Sequence, residues 1–182
     1  MASATNTAPS VNYGEAKLKG LRQPGTPQTA ASFGLEYRDP KFWWVGANVN
    51  YLADTYLDVS SVLRTQSFVR NPISATASPF PEITQDRLDQ LLKQEKFDPY
   101  TLVNLTGGKS WRISGKNPIT LGLFATLNNI FDVRYKTGGF EQARNANFRE
   151  LNQDQASGTP SFAPRYFYGF GRTYFLNFYI NF

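Results

Sequence analysis

The chain lacks two of the residue types most used in catalysis and metal binding. It contains no cysteine, which excludes a disulfide framework, a thiol nucleophile and any site built on thiolate ligands. It also contains no histidine, which removes the commonest general base and the commonest metal ligand. A zinc site would need carboxylates alone, which is unusual for this metal. We therefore expect no metal site, no cofactor and no enzymatic activity.

Long apolar runs and clustered positive charge are also missing. No stretch approaches the ~20 apolar residues of a membrane-spanning helix. The net charge of +5 comes from scattered residues, whereas nucleic-acid binders usually concentrate their positive charge. We interpret it as solvated surface charge and expect no nucleic-acid partner. The first residues, Met1 to Asn6, have neither the basic nor the apolar region of a secretory signal. We expect a mature or engineered start, or a piece of a longer protein.

Alternation of apolar and polar residues with a period of two, which is typical of β-strands, recurs along the chain. It predicts a hairpin over residues 29–53 with a tight turn at Asp39-Pro40. A second hairpin is predicted over residues 101–128, with residues 114–118 as its turn, and a final strand over residues 171–182. A weak alternation over residues 11–19 makes a sixth strand.

The segments between the hairpins differ in length. Residues 54–98 and 136–169 form long irregular segments, while residues 1–10 are expected to be a flexible end. Inside the first long segment, Leu88, Leu91 and Leu92 have helical spacing, which predicts a short helix over residues 84–96 with Thr84 as its N-cap.

Three features favour a membrane β-barrel over a water-exposed β-sandwich. The strands run to about 10 residues, the length that crosses a bilayer at a ~45° tilt. Both short turns lie at one end of the strands and both long segments at the other, as in outer-membrane barrels. One face is apolar, with Trp43, Tyr51 and Trp111 toward its ends, and the other is small or polar. Lys109 would lie on the lipid face, near the membrane interface.

The fold class is therefore predicted to be all-β, an antiparallel transmembrane β-barrel of outer-membrane type with long extracellular loops. Five clear strands and one weak strand are fewer than the ~8 of the smallest such barrels. Closure is then expected to need missing sequence, a second chain or oligomerisation. Residues 1–182 are interpreted as one part of a larger barrel.

The C-terminal residues resemble the assembly signal of outer-membrane proteins, a terminal phenylalanine preceded by alternating apolar residues. These residues are Tyr174, Leu176, Phe178, Ile180 and Phe182. The resemblance implies recognition by the barrel assembly machinery and location in the bacterial outer membrane.

A second resemblance is more specific. Residues 127–135, Leu-Asn-Asn-Ile-Phe-Asp-Val-Arg-Tyr, resemble a segment in the penultimate strand of TonB-dependent receptors. Residues 34–44, 97–104 and 135–142 are similar to segments of the Bacteroidetes type of this family. The resemblance implies a barrel of about 22 strands, of which this chain supplies the last part, together with a plug domain and a TonB box that are not present here. It further implies uptake, by the parent protein, of a scarce or bulky ligand such as a siderophore, glycan or vitamin.

Candidate ligand-facing residues lie in the predicted outer loops. The cationic ones are Arg64, Arg70, Arg144, Arg149 and Arg165, which suit an anionic ligand. Solvated loop charge is the alternative interpretation for them. Tyr166 and Tyr168 suit stacking on a planar ligand or sugar, and the alternative is an aromatic belt at the membrane interface.

Two other functions remain open from the sequence. The long loops are compatible with an adhesin or another non-transport barrel of the outer membrane. Alternating strands are also compatible with a soluble all-β binding module.

Overall fold

A computed structural model describes residues 14–70, 79–115, 117–142 and 146–182. The architecture is antiparallel β-structure with short helices, which confirms the all-β class. The chain divides into two compact units. The sheet unit comprises residues 23–58, 95–139 and 166–182, and the loop unit comprises residues 1–22, 59–94 and 140–165.

The elements alternate between long strands and short loop elements. In chain order they are β1 (Thr29–Asp39), β2 (Trp43–Ala53), a 3-10 turn (Val62–Arg64), α1 (Gln66–Val69), α2 (Gln85–Leu91), β3 (Tyr100–Ile113), β4 (Ile119–Asn128), β5 (Lys136–Phe140), α3 (Phe148–Ala156), β6 (Arg165–Tyr168) and β7 (Thr173–Asn181).

Five long strands form one antiparallel sheet in the order β1-β2-β3-β4-β7. Their lengths run from 9 residues in β7 to 14 in β3, well above the ~5–6 residues of an average strand. Both predicted hairpins and the final strand are confirmed. Within the described residues, β1 is paired only with β2, and β7 only with β4, so the sheet is open at both edges.

The first hairpin turns within three residues. The backbone amide of Phe42 donates to the carbonyl oxygen of Asp39 at 3.1 Å, and the amide of Lys41 donates to the Asp39 carboxylate at 2.8 Å. Phe42 has a φ of 61°, the left-handed conformation that closes three-residue hairpin loops. A bulky residue seldom adopts this conformation, so local hydrogen bonding holds Phe42 in a strained position.

The strand pairing places the alternating apolar residues on one face of the whole sheet. Phe33 lies opposite Val49, which lies opposite Val103 on its other side. Further along, Leu123 lies opposite Phe178. Since directly paired residues share a face, the apolar stripes of all five strands join into one surface, which we call the apolar face. The other side of the sheet is the polar face.

Glycines on the polar face let aromatic rings lie against the backbone. Gly122 is paired with Tyr179, and the Tyr179 ring occupies the space that a Cβ at position 122 would need. Gly108 is covered in the same way by the indole of its partner Trp44. These pairs bury backbone that a glycine would otherwise leave exposed.

A small apolar core lies in the loop unit. It consists of Leu63, Phe68, Phe80, Leu91, Ala146, Phe148 and Leu151. The helix α2 begins at the predicted cap, where the Thr84 hydroxyl accepts from the amide of Arg87. The helix α3 begins with a reciprocal capping box between Asn147 and Glu150, which satisfies two amides that a helix start leaves unpaired.

Several predictions about the loops were wrong or incomplete. Residues 14–19 do not form a strand, because the amide of Lys17 donates to the carbonyl oxygen of Arg64 in the loop unit instead of joining the sheet. Residues 1–13 lie outside the described residues. The predicted helix over 84–96 is shorter and ends at Leu91. The segment 136–169 is not irregular throughout, because it contains α3 and a two-stranded sheet of β5 and β6.

Substitution of Gly122 by alanine should destabilise the sheet. The new methyl group would force the Tyr179 ring from its place, and overpacking of this kind costs about 1–3 kcal/mol. Urea unfolding followed by intrinsic fluorescence measures the change. Gly34→Ala is the matched control, because a Cβ there meets its neighbours at 3.4 Å or more. Equal effects of the two substitutions would contradict the role given to Tyr179.

Candidate functional site

The apolar face is the largest feature that distinguishes the sheet unit. On the edge strands β1 and β7 its side chains are solvent-exposed, with exposed fractions of 65% for Phe33, 68% for Leu35, 66% for Leu176 and 60% for Phe178, whereas those on β4 are half-buried. Monomeric soluble proteins rarely expose contiguous apolar surface on this scale, and such patches mark contact with a partner or a membrane. The residues of the predicted assembly signal belong to this face from Tyr174 to Ile180, while Phe182 follows the end of β7 and is 96% exposed.

The polar face carries hydrogen-bonding side chains, which are uncharged except for Glu36, Arg38 and Arg112, and a row of aromatic rings. Asn48 donates to the Ser32 hydroxyl at 3.0 Å, and that hydroxyl donates to the side-chain oxygen of Asn50 at 2.9 Å. The rings of Trp44, Phe124 and Phe175 follow one another, with centroids 5.9 and 6.3 Å apart. The sequence predicts a small or polar surface here, and the structure adds the row of aromatic rings.

Arg64 is buried, and it organises the loop unit. Its side chain is 4% exposed and forms a bidentate ion pair with Glu141, at 2.7 and 2.9 Å. The guanidinium also donates to the carbonyl oxygens of Ser60 and Leu92, both at 3.0 Å. The interpretation of Arg64 as a solvated loop charge was therefore wrong. Its donors bind three separate segments of the loop unit instead of facing outward.

The other predicted arginines are dispersed. Arg149 is half-exposed, pairs with Glu82 at 2.6 Å and lies over the Phe80 ring at 4.7 Å. The hydrogen bond to this guanidinium lowers the pKa of Glu82 below its ordinary value. Arg70 and Arg165 are exposed, and Arg144 lies outside the described residues. Ligand binding by these arginines stays a prediction.

Tyr166 belongs to a small ionic and aromatic cluster in the sheet unit. Its hydroxyl donates to Glu95 at 2.6 Å, and the other oxygen of that carboxylate accepts from Lys136 at 2.8 Å. The Lys136 ammonium lies 3.6 Å from the centre of the Tyr166 ring. Burial, followed by the hydrogen bond to Glu95, raises the pKa of Tyr166 to about 12. The Tyr166 side chain is thus held in place by Glu95 and Lys136. The spacing of residues in the sequence did not reveal this structural role.

Tyr168 is 64% exposed and borders a cavity of about 440 Å³. The rings of Tyr100 and Tyr135 stack in its wall, with centroids 4.2 Å apart, and Arg134 lies at its rim. Tyr168 was predicted from the sequence, but the other lining residues were not, since they are far apart in the sequence. The cavity offers aromatic surface to a ligand, together with the charges of Arg134, Lys136 and Asp98, which also line it.

The segment after β4 owes its shape to two polar side chains. Asn129 is 3% exposed, and its side chain bonds the amide and carbonyl of Val133 and the carbonyl of Phe170. Asp132 accepts from the amide of Arg172 at 2.8 Å. Both residues have left-handed backbone conformations, which asparagine and aspartate tolerate best. They end β4 and tie its exit to the start of β7.

The described ranges contain no helix with the length and apolarity needed to cross a membrane. In the same part of the chain, no group of three or more acidic side chains is placed to hold a metal ion.

Comparison with known proteins gives no relative. No family model matches the chain, and neither a curated protein nor a solved structure is significantly similar to it.

Replacing Arg64 by methionine should open the loop unit. The change leaves the Glu141 carboxylate buried without its partner, which typically costs about 3–5 kcal/mol. Amide hydrogen exchange in α2 and α3 measures the loss of protection. Arg149→Met, which removes an exposed pair, should have a smaller effect. The double variant Arg64→Met/Glu141→Leu should regain protection, and failure of Arg64→Met to exceed Arg149→Met would refute a structural role for the buried pair.

Replacing Glu95 by glutamine should lower the pKa of Tyr166 from about 12, although burial keeps it above the ordinary 10.0. In the wild type, the free energy of unfolding should fall as the pH rises from about 10 toward 12, because only the unfolded tyrosine loses its proton in this range. The ¹³Cζ chemical shift of labelled tyrosine reports the titration. Glu36→Gln, in β1, serves as the control and should leave this titration unchanged.

Proposed function

We propose that this chain forms the C-terminal strands of an outer-membrane β-barrel, and that the parent protein is a TonB-dependent receptor of the Bacteroidetes type. The parent would import a scarce or bulky ligand of the siderophore, glycan or vitamin class, without catalysis. The observation that carries the proposal is the exposed apolar face, which is continuous across five strands.

Lipid is the partner that suits this face best. Each exposed Leu or Phe side chain gains about 1.5–3 kcal/mol when it is fully removed from water, so a face built from many such residues is unfavourable in water. The strands are also long enough to cross hydrocarbon when tilted. A protein partner would need to match a surface of this extent, whereas a bilayer matches it without specific contacts.

The two open edges of the five-stranded sheet are the second observation that supports the proposed barrel. In hydrocarbon, each unpaired backbone group costs several kcal/mol, so a sheet edge must be paired. The strands β1 and β7 each have one such edge. In the proposed function, the remainder of the barrel pairs with them, and the assembly machinery of the outer membrane brings the strands together.

The polar face and the long connections agree with a transport role. Uncharged Asn, Ser and Thr side chains with aromatic rings suit the interior of a wide barrel, which holds water and, in this family, a plug. The short turns and the end of β7 lie at one end of the sheet, which we assign to the periplasm. The connections that hold the helices then leave the sheet at its outward end, where the Tyr168 cavity lies. Arg70 and Arg165, which belong to these connections, are exposed and are the candidates for an anionic ligand.

Arginine on the apolar face should impair folding into bilayers far more than arginine on the polar face. Ala47 lies midway between Trp43 and Tyr51 on β2, where a charge facing lipid costs about 2–4 kcal/mol. Thr126 lies on the polar face of β4, so Thr126→Arg is the matched control. The free energy of unfolding of the complete barrel from phospholipid vesicles gives both values. A larger cost for Thr126→Arg would reverse the assignment of the two faces.

Two observations separate the proposed function from its alternatives. Extraction as a detergent-free, water-soluble monomer would exclude the membrane location. The genomic sequence upstream of the coding region should encode a plug domain and a TonB box. An upstream region without them would exclude the receptor and favour an adhesin or another barrel protein.

A further inference from the structure

One positive charge interrupts the apolar face. Among the described residues of that face, only Lys109 in β3 and Asp39, the last residue of β1, carry a charge. Lys109 is exposed and lies directly between Trp43 on β2 and Leu123 on β4. A lysine in this position is costly in hydrocarbon but costs only about 0–1 kcal/mol at the membrane interface.

Aromatic residues surround this lysine. Its ammonium lies 5.5 Å from the centre of the Trp111 ring. Trp43, paired with Lys109, is in turn 5.3 Å from the Tyr37 ring, measured between ring centroids. Tryptophan and tyrosine concentrate where hydrocarbon meets the lipid headgroups, since their rings have an apolar body and a polar tip.

The adjacent turn adds a strained aromatic residue to the same place. Phe42 is 73% exposed and has a φ of 61°. Its carbonyl oxygen accepts from the amide of Ser110 at 2.9 Å, so the turn is held against β3 beside Lys109. A glycine would relieve the strain. The exposed ring is therefore retained at a conformational cost, as expected if it contacts an apolar phase.

No carboxylate neutralises Lys109 within the described part of the chain. The nearest acidic residue on its face, Asp39, is engaged by the Tyr37 hydroxyl at 3.2 Å and by the amide of Lys41 at 2.8 Å. Lys109 forms no ion pair with it or with any other described residue. An ammonium group left unpaired among aromatic rings favours an external anion.

We propose that Lys109, framed by Trp43 and Trp111, binds the phosphate of a membrane phospholipid and sets the headgroup level at the short-turn end of the sheet. The inference rests on the proposed function, because it requires the apolar face to meet lipid. The flexible stem of lysine lies along apolar surface while its ammonium reaches the headgroups. An ammonium is also a good point-charge partner for phosphate.

The test uses the chain assembled with the remainder of its barrel, in bilayers of phosphatidylethanolamine and phosphatidylglycerol. Lysine is labelled with ¹⁵N at Nζ, and solid-state NMR measures its dipolar coupling to lipid ³¹P. Lys109→Gln should remove the strongest coupling. Lys93→Gln, which removes an exposed lysine after α2, should retain it. An unchanged coupling in Lys109→Gln would overturn the inference.

Two further arms identify the source of the phosphate and separate this inference from the proposed function. In phosphate-free galactolipid bilayers, inorganic phosphate should not restore the coupling. Restoration would exclude a site specific for phospholipid.

In a Trp43→Phe/Trp44→Phe variant, lipids brominated along the acyl chain report the depth of Trp111. Quenching by shallow bromines is expected. Absence of all quenching would refute the membrane location itself, whereas quenching only by deep bromines would refute the Lys109 site alone.

Discussion

Continuous antiparallel hydrogen bonding is the constraint on which the sheet depends. Each strand is paired with its neighbour in one continuous register, so that the apolar residues of one strand lie on the same side of the sheet as those of the next. A slip of one residue would turn every apolar side chain of that strand to the polar side. The uninterrupted register joins five separate stripes into one apolar face, and it brings Lys109 beside Trp43. Both the proposed contact with lipid and the proposed phosphate site follow from this pairing.

The polar face obeys a different constraint, which is space. The rings of Trp44 and Tyr179 lie over glycines on neighbouring strands. Each large ring thus occupies the space that its partner, which has no side chain, leaves free. Asn48, Asn50 and Ser32 bond one another, and they satisfy their polar groups without a charge. The sheet therefore has two surfaces of opposite chemistry, as a wall between lipid and an aqueous interior would require.

The loop unit is stabilised by its own interactions. Phe68, Phe80 and Phe148 form an apolar centre, and the buried pair of Arg64 and Glu141 joins segments that are 77 residues apart. Replacing a buried pair of this kind by apolar residues is often neutral for stability, whereas removing one partner is strongly destabilising. Arg64 was predicted from the sequence as a possible ligand contact, but it is buried and has a structural role instead. Arg70 and Arg165 remain available at the surface.

The sequence alone determined the five long strands, the two tight turns and the identity of the apolar stripes, because the period of two is a local property of extended backbone. It also determined the cap of α2 at Thr84. Only the tertiary structure decided that Arg64 meets Glu141, that burial and the hydrogen bond to Glu95 raise the pKa of Tyr166, and that Tyr100 stacks on Tyr135. The short strands β5 and β6 likewise exist only as a pair. Each of these features joins distant segments, and alternation within one segment holds no information about its partner.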